Sequence, residues 1–182
     1  MKKTAMLLTI IIIASYLAGC AGSRKTAVYE TPGYSITMPD NFEAETVEGA
    51  ESCFDGRNQM LVVYKETFEE LAVVGLSEVS DIDEYVSLVL RSNGMVQSDL
   101  KTRGDYDFIT YTAEVNGKDH FFLTTMRKGW DGFYMFTFIG NADDRSSLEE
   151  SFLEYADTIT MKEGQPLEGT AGYLRHTSWY SL

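Results

Sequence analysis

Three consecutive strand-like runs in the second half of the chain restrict the folds that this protein can adopt. Residues 106–115 (YDFITYTAEV) alternate apolar and polar side chains, residues 119–127 (DHFFLTTMR) run back after Asn116-Gly117, and residues 133–139 (FYMFTFI) follow a second turn in KGWDG. The Asn-Gly pair favours a type I′ turn between antiparallel strands. Since the third run is apolar on both faces, we expect it in the centre of an antiparallel sheet whose two faces are covered.

Two further strand signals precede this meander. Residues 34–38 (YSITM) alternate with the period of a half-buried strand that stops at Pro39. Residues 51–64 place Asp55-Gly56 between two strand-like runs, which predicts a hairpin turning at that pair.

Two amphipathic helices are predicted around the meander. The first begins after Asp81 as N-cap, with Glu84 as its capping-box partner, and ends at Gly94. Its apolar positions are Ile82, Tyr85, Val86 and Val89. The second begins after Asp143-Asp144, with Leu148, Phe152, Tyr155, Ala156 and Ile159 on its inner face. The order of strands, helix, meander and helix predicts an α+β fold with an antiparallel sheet flanked by helices.

The N-terminus has the features of an export signal. Lys2 and Lys3 precede an apolar run at residues 5–14, a length within the roughly 7–15 residues of a signal h-region. The whole apolar stretch is shorter than the ~20 residues of a comfortable transmembrane helix, which is the alternative interpretation.

The end of this run, Leu17-Ala18-Gly19-Cys20, resembles the lipobox of bacterial lipoproteins. The resemblance implies cleavage between Gly19 and Cys20, acylation of the Cys20 thiol, and a protein held by lipid at the extracytoplasmic face of the cell membrane. Because one acyl chain gives only marginal binding, two or more chains on one residue would anchor the protein stably.

These signals predict four parts: a signal peptide at 1–19, a lipidated tether at 20–27, a domain at 28–161 and a C-terminal tail at 162–182. Processing leaves 163 of the 182 residues, enough for one domain. The removed peptide carries Lys2 and Lys3 and no acid, so the net charge of −13 becomes −15. This charge disfavours nucleic acid as a partner.

The domain resembles the PsbP-like group in its order of elements. The similarity covers about residues 28–161: Gly33 to Pro39 (GYSITMP) followed by Phe42, the strand LVVY at 61–64, the middle helix, the meander and the closing helix ending in YADTITM. The resemblance implies an α/β/α sandwich and a binding or assembly role. It implies no catalytic residues, because the group shares no catalytic motif.

Few residues indicate chemistry. With Cys20 acylated, Cys53 has no partner in its chain, and we expect it to be a buried thiol. His120 and His176 are the only histidines, too few for a multi-histidine metal site. No cofactor is predicted, although the carboxylate clusters could gather Ca²⁺ weakly. These clusters are Glu43, Glu45, Glu48 and Glu51, then Glu66, Glu69 and Glu70, then Asp81, Asp83 and Glu84.

Exposed aromatic side chains give the candidate binding surface. Trp130 lies in the KGWDG turn, and Trp179-Tyr180 lie near the C-terminus. Rigid aromatic groups bind proteins or sugars at low entropic cost. The alternative is that Trp130 folds back over the edge of the sheet and that the two tail aromatics dock on their own domain. The sequence therefore predicts a non-enzymatic, lipid-anchored binding or assembly protein whose partner is an envelope protein or glycan. The alternative is a cell-surface hydrolase or glycan-processing enzyme that uses paired carboxylates.

Overall fold

The computed structural model describes residues 11–13 and 25–164 of the 182-residue chain. The described strands are β1 (Ile11–Ile13), β2 (Thr26–Glu30), β3 (Tyr34–Pro39), β4 (Glu43–Glu45), β5 (Ser52–Gly56), β6 (Gln59–Thr67), β7 (Lys101–Arg103), β8 (Tyr106–Val115), β9 (Lys118–Lys128), β10 (Gly132–Asn141) and β11 (Thr160–Met161). The described α-helices are α1 (Phe68–Leu71), α2 (Ile82–Ser92) and α3 (Arg145–Ala156).

The strands form two antiparallel sheets. The large sheet has seven strands in the order β4-β5-β6-β10-β9-β8-β7, so β10 is its middle strand, as the apolar run at 133–139 predicts. The small sheet has the order β1-β2-β3-β11. The sequence predicts an antiparallel sheet flanked by helices and gives no signal for the small sheet as a separate unit. This is because β11 is two residues long and pairs Thr160 with the distant Ser35, a contact that no local pattern reveals.

Each face of the large sheet has its own apolar cluster. One face packs against the small sheet and α3, and its core includes Tyr29, Tyr34, Ile36, Phe54, Phe121, Phe136, Phe138 and Phe152. The other face packs against α2 and the segment before it, and its core includes Leu71, Tyr85, Val86, Leu90, Ile109, Met126 and Phe133. Burying each such side chain contributes about 1.5–3 kcal/mol. The antiparallel α+β class is confirmed. One of the two layers that cover the large sheet contains the small sheet as well as helix α3.

The meander forms as its pattern predicts. β8 covers residues 106–115, and β9 and β10 contain the other two predicted runs. Asn116 and Gly117 have φ angles of 53° and 76°, the left-handed values that a type I′ turn needs at both central residues.

The hairpin before it turns later than predicted. β5 continues through Asp55 and Gly56, and Gly56 pairs with Gln59, so the turn lies at Arg57 and Asn58. The prediction of a turn at Asp55-Gly56 is therefore wrong. A Cβ atom on Gly56 would lie 2.8 Å from the ring of Phe42, so this glycine allows a close approach of the ring to the strand.

Helix α2 has both of its predicted ends. The Asp81 carboxylate accepts a hydrogen bond from the Glu84 amide at 2.9 Å, and the Glu84 carboxylate accepts one from the Asp81 amide at 3.2 Å. At the far end Gly94 has a φ of 68°, and the Met95 amide donates to the Leu90 carbonyl. These bonds satisfy terminal backbone groups that the helix itself leaves unpaired.

The closing helix α3 buries the predicted face. Leu148, Phe152, Tyr155 and Ala156 are buried, whereas Ile159 lies beyond the helix end and packs partly buried against the same core.

Ordered structure extends past both predicted limits of the domain. Strand β2 begins at Thr26 and Ala27 is buried, so the last residues of the predicted tether belong to the small sheet. At the other limit the Lys162 amide donates to the Gly33 carbonyl at 2.9 Å, which continues the pairing beyond residue 161. Within the predicted signal peptide, Ile11–Ile13 pairs with the outer edge of β2.

Cys53 lies fully buried in β5, as predicted for a thiol without a partner. Burial raises the pKa of the thiol, and the neighbouring carboxylates of Asp55 and Glu45 raise it further. Since the thiolate is the reactive form, these surroundings make the cysteine inert.

Candidate functional site

Trp130 lies in the turn that joins β9 to β10, as predicted. The Gly129 amide donates to the Gly132 carbonyl at 2.8 Å and closes the turn. The indole is 51% exposed, yet a Cβ atom on Gly164 would lie only 2.7 Å from it. One part of the ring therefore contacts the end of the described chain, and the rest is open to solvent.

The neighbouring Asp131 holds this turn against the sheet. Its carboxylate pairs with the Lys65 ammonium at 2.5 Å and accepts a hydrogen bond from the Tyr134 hydroxyl at 2.9 Å. Its carbonyl accepts a longer bond from the Phe68 amide at 3.4 Å. Burial, and then the bond to Asp131, raise the pKa of Tyr134, so its hydroxyl remains a donor at neutral pH. These three contacts of Asp131 hold the turn that carries Trp130 in one position.

The chain between β6 and α2 lies at the same end of the sheet. Thr67 and Glu70 form a capping box that begins α1. Further along, the Lys128 ammonium donates to the carbonyls of Glu78 and Ser80 at 2.6 and 2.7 Å, which ties this segment to the last residue of β9. We define the tip as the turn Gly129–Asp131 together with residues 68–84.

The tip exposes apolar side chains that the sequence reasoning did not single out. Val73 is 89% exposed, Val79 is 86% exposed and Val74 is half-exposed. The signal was present in the sequence as LAVVGLSEV, an apolar stretch with neither the helical nor the alternating period of a buried element. Together with Trp130, these valines make the tip a candidate interaction surface.

The opposite end of the large sheet, the base, carries the turns at 57–58 and 116–117. Here the chain enters the domain: the Lys25 carbonyl accepts a hydrogen bond from the Asp40 amide at 3.0 Å, and Phe42, two residues later, packs on Gly56. The first described residue of the main domain therefore lies at the base, whereas Gly164, the last one, lies at the tip.

The base holds an open pocket of about 760 Å³, a size typical of small-molecule sites. His120, the strand histidine, lines it, and its Nδ1 lies 3.0 Å from the Lys118 carbonyl. Met60 and Ile139 contribute apolar surface. Four aspartates also line the pocket: Asp55, Asp119, Asp143 and Asp144.

If the protein were a hydrolase that uses paired carboxylates, this pocket would be the best candidate for its active site, because four aspartates line it. All four of its aspartates are exposed to solvent. A glycosidase general acid works in apolar surroundings that keep it protonated, and none of these carboxyls has such surroundings. The geometry therefore adds nothing in favour of a hydrolase, which stays a prediction.

Members of two of the three predicted carboxylate clusters have local structural roles. Glu66 accepts a hydrogen bond from the Tyr85 hydroxyl at 2.6 Å, Glu70 caps α1, and Asp81 and Glu84 cap α2. Among the described residues, no group of three or more His, Cys, Asp or Glu side chains is placed to hold a metal ion.

A smaller groove of about 340 Å³ lies between α2 and the large sheet. Val89 and Met95 line it from the helix side, and Tyr111 and Phe122 stack on each other in its wall, with ring centroids 4.8 Å apart. This groove could take an apolar group, but it contains no charged side chain to orient one.

Five of the predicted residues lie outside the described ones: Gly19, Cys20, His176, Trp179 and Tyr180. Across the ranges 11–13 and 25–164, no helix is long and apolar enough to cross a bilayer.

Comparisons with known proteins include a distant structural similarity. No protein-family model and no curated protein matches the chain. The chain is similar to the solution structure of cyanobacterial PsbP (CyanoP) from Synechocystis sp. PCC 6803, with 14% sequence identity and a TM-score of 0.47. The alignment covers 81% of this chain and 98% of that one. This neighbour bears the name of the group that the sequence resembles.

Proposed function

We propose that the protein is a lipid-anchored, extracytoplasmic binding or assembly protein that docks a partner protein at its tip. The observation that carries this proposal is the separation of two features: the chain enters the domain at the base, and the exposed Trp130, Val73 and Val79 lie at the opposite end. The proposed activity is binding and not catalysis.

The anchor is proposed from the LAGC sequence after an apolar run. Four residues separate Cys20 from Lys25, and the five Cα-to-Cα steps between them span at most about 18 Å in an extended chain. A lipidated Cys20 would therefore keep the base close to the bilayer. Strand β10 has ten residues and so rises about 33 Å, which would hold the tip well clear of the lipid headgroups.

The apolar side chains favour a protein partner at the tip. Solvent-exposed valines gain little from contact with a polar glycan, whereas protein interfaces bury aliphatic and aromatic side chains at their centres. Trp130 suits the role of anchor because its ring is half-exposed on a turn held by Asp131. Trp179 and Tyr180 remain candidates for the same surface, since the chain that carries them continues from Gly164 beside Trp130.

Site-specific photocrosslinking in the producing cell tests the docking surface. We expect a crosslinker at Val73 or Val79 to give one discrete adduct, and a crosslinker at the exposed Val115 near the base to give none. Trp130→Ala should weaken the adduct without changing the melting temperature. Equal labelling at the tip and at Val115, or no adduct at the tip, would refute the proposed function.

The anchor has a separate test. Cys20→Ser should leave the precursor unprocessed or release the protein from the membrane fraction, because no thiol remains to be acylated. A fully processed Cys20→Ser protein that still fractionates with membranes would contradict the anchor while leaving the docking surface intact.

A further inference from the structure

The tip carries negative charge that the described chain does not neutralise. Six exposed carboxylates belong to the tip: Glu69, Glu70, Glu78, Asp81, Asp83 and Glu84. Among the described residues, none of the six forms an ion pair with a lysine or arginine, although five other acids do: Glu30, Asp131, Glu149, Glu150 and Asp157.

The lysines nearest the tip are already engaged. Lys65 pairs with Asp131, and Lys128 donates to two backbone carbonyls. Neither ammonium can turn to the six carboxylates without breaking a contact that holds the tip together. The surface therefore combines exposed apolar groups with a net negative charge.

From this combination, and resting on the proposed function, we propose that the partner docks through a basic, apolar segment, with lysine or arginine side chains flanking aliphatic or aromatic ones. Oppositely charged surfaces attract each other during diffusion and exclude partners of the same charge. The exposed face of Trp130 can also receive a cation directly. Anionic lipid would be repelled by the same carboxylates.

The segment's apolar side chains follow from the valines. Val73 and Val79 are almost fully exposed, so a purely polyanionic or polycationic ligand would leave them in water. Contact with apolar side chains removes that area from water, at about 25 cal/mol for each Å². Electrostatic attraction thus determines which partner binds, and contact with the valines and Trp130 contributes the apolar part of the binding energy.

A synthetic amphipathic peptide of lysine and leucine is the probe, and a peptide with glutamate in place of lysine is its charge control. Calorimetric titration of the detergent-solubilised full-length protein should detect the lysine peptide only. Because exposed charges are screened with a length of about 8 Å at 0.15 M salt, the affinity should fall as salt is added. Binding of the glutamate peptide with similar affinity would overturn the proposal.

Two matched triple variants locate the contact. Glu69→Gln, Glu78→Gln and Asp83→Asn remove three charges from the tip but spare the caps of α2. Asp55→Asn, Asp119→Asn and Asp143→Asn remove three from the base. We expect the tip variant to bind the lysine peptide about tenfold more weakly, as three exposed ion pairs would contribute, and the base variant to bind as the parent does. Equal weakening by both triples would show non-specific attraction and refute the proposal.

A paired substitution tests the apolar contact. Val73→Ser with Val79→Ser should abolish binding of the lysine peptide, whereas Val115→Ser at the base should not change it.

Vesicles of phosphatidylcholine alone should not bind the tip. Vesicle binding that Trp130→Ala removes would show that the surface binds lipid instead of a basic segment. If crosslinking at the tip traps a partner through an acidic or uncharged segment, this inference fails while the proposed function stands.

Discussion

Lys128 is expected to fix the shape of the tip. Its ammonium donates to the carbonyls of Glu78 and Ser80, and its side chain lies over the rings of Phe68 and Phe133, with the ammonium 5.8 and 6.0 Å from the two centroids. Lys128→Met keeps most of the apolar stem and removes both hydrogen bonds. We expect the segment before α2 to open more often while the rest of the domain keeps its stability.

The magnitude follows from the two bonds. A hydrogen bond to a charged group contributes about 1.5–3 kcal/mol when shielded from water. Because Lys128 is exposed, and the freed carbonyls can bond to water, the combined loss should be only about 1–2 kcal/mol. A change of that size raises the local opening constant about 5- to 30-fold.

Native-state hydrogen exchange measures this opening. The amides of Gly75, Leu76 and Ser80 donate to carbonyls within the segment and so report its opening directly. They should exchange about 5- to 30-fold faster in Lys128→Met, and at the parent rate in the matched variant Lys118→Met at the base. If the three amides are unaffected, or if amides throughout β10 accelerate equally, Lys128 does not hold the segment before α2 in place.

Three further results are expected. Gly56→Ala should lower the free energy of unfolding by about 1–3 kcal/mol in chemical denaturation, because the added methyl group meets the Phe42 ring. Adding Phe42→Leu should reduce this loss. Additive effects of the two substitutions would show that the two sites do not interact. Cys53 should react with a thiol reagent only on unfolding, since burial raises its pKa, and rapid labelling of the folded protein would contradict its placement. The Arg103 guanidinium bonded to the Asp157 carboxylate lowers the pKa of that carboxyl, so this pair stabilises the fold above the unfolded pKa of about 3.9 and loses its effect as pH falls through the lower folded value. The stability difference between the parent and Asp157→Asn should therefore shrink from pH 5 to pH 2, as circular dichroism melts can measure, and a constant difference would refute this assignment.

Local patterns predicted the elements that local chemistry determines. The capping box of Asp81 and Glu84 and the turn at Asn116-Gly117 involve neighbouring residues, and both form as expected. Gly56 shows the limit of such reasoning, since Asp-Gly is a favoured turn pair, yet this glycine is required by Phe42.

The tip could be predicted only in part for the same reason. Trp130 was identified from its place in a turn between two strong strands. Val73 and Val79 lie in a segment without periodicity, and their exposure depends on where Lys128 holds that segment. No property of the valines alone distinguishes an exposed position from a core position.

The opposite positions of chain entry and exit follow from the small sheet. β2 runs from base to tip, β3 returns antiparallel to it, and β11 pairs antiparallel with the other edge of β3 and so runs from base to tip again. Because β2 and β11 point the same way, the chain enters β2 at the base and leaves β11 at the tip. An anchor at Cys20 would therefore attach to the end of the domain opposite the tip, and a variant that lost β11 would be expected to lose this separation along with the pairing of Ser35.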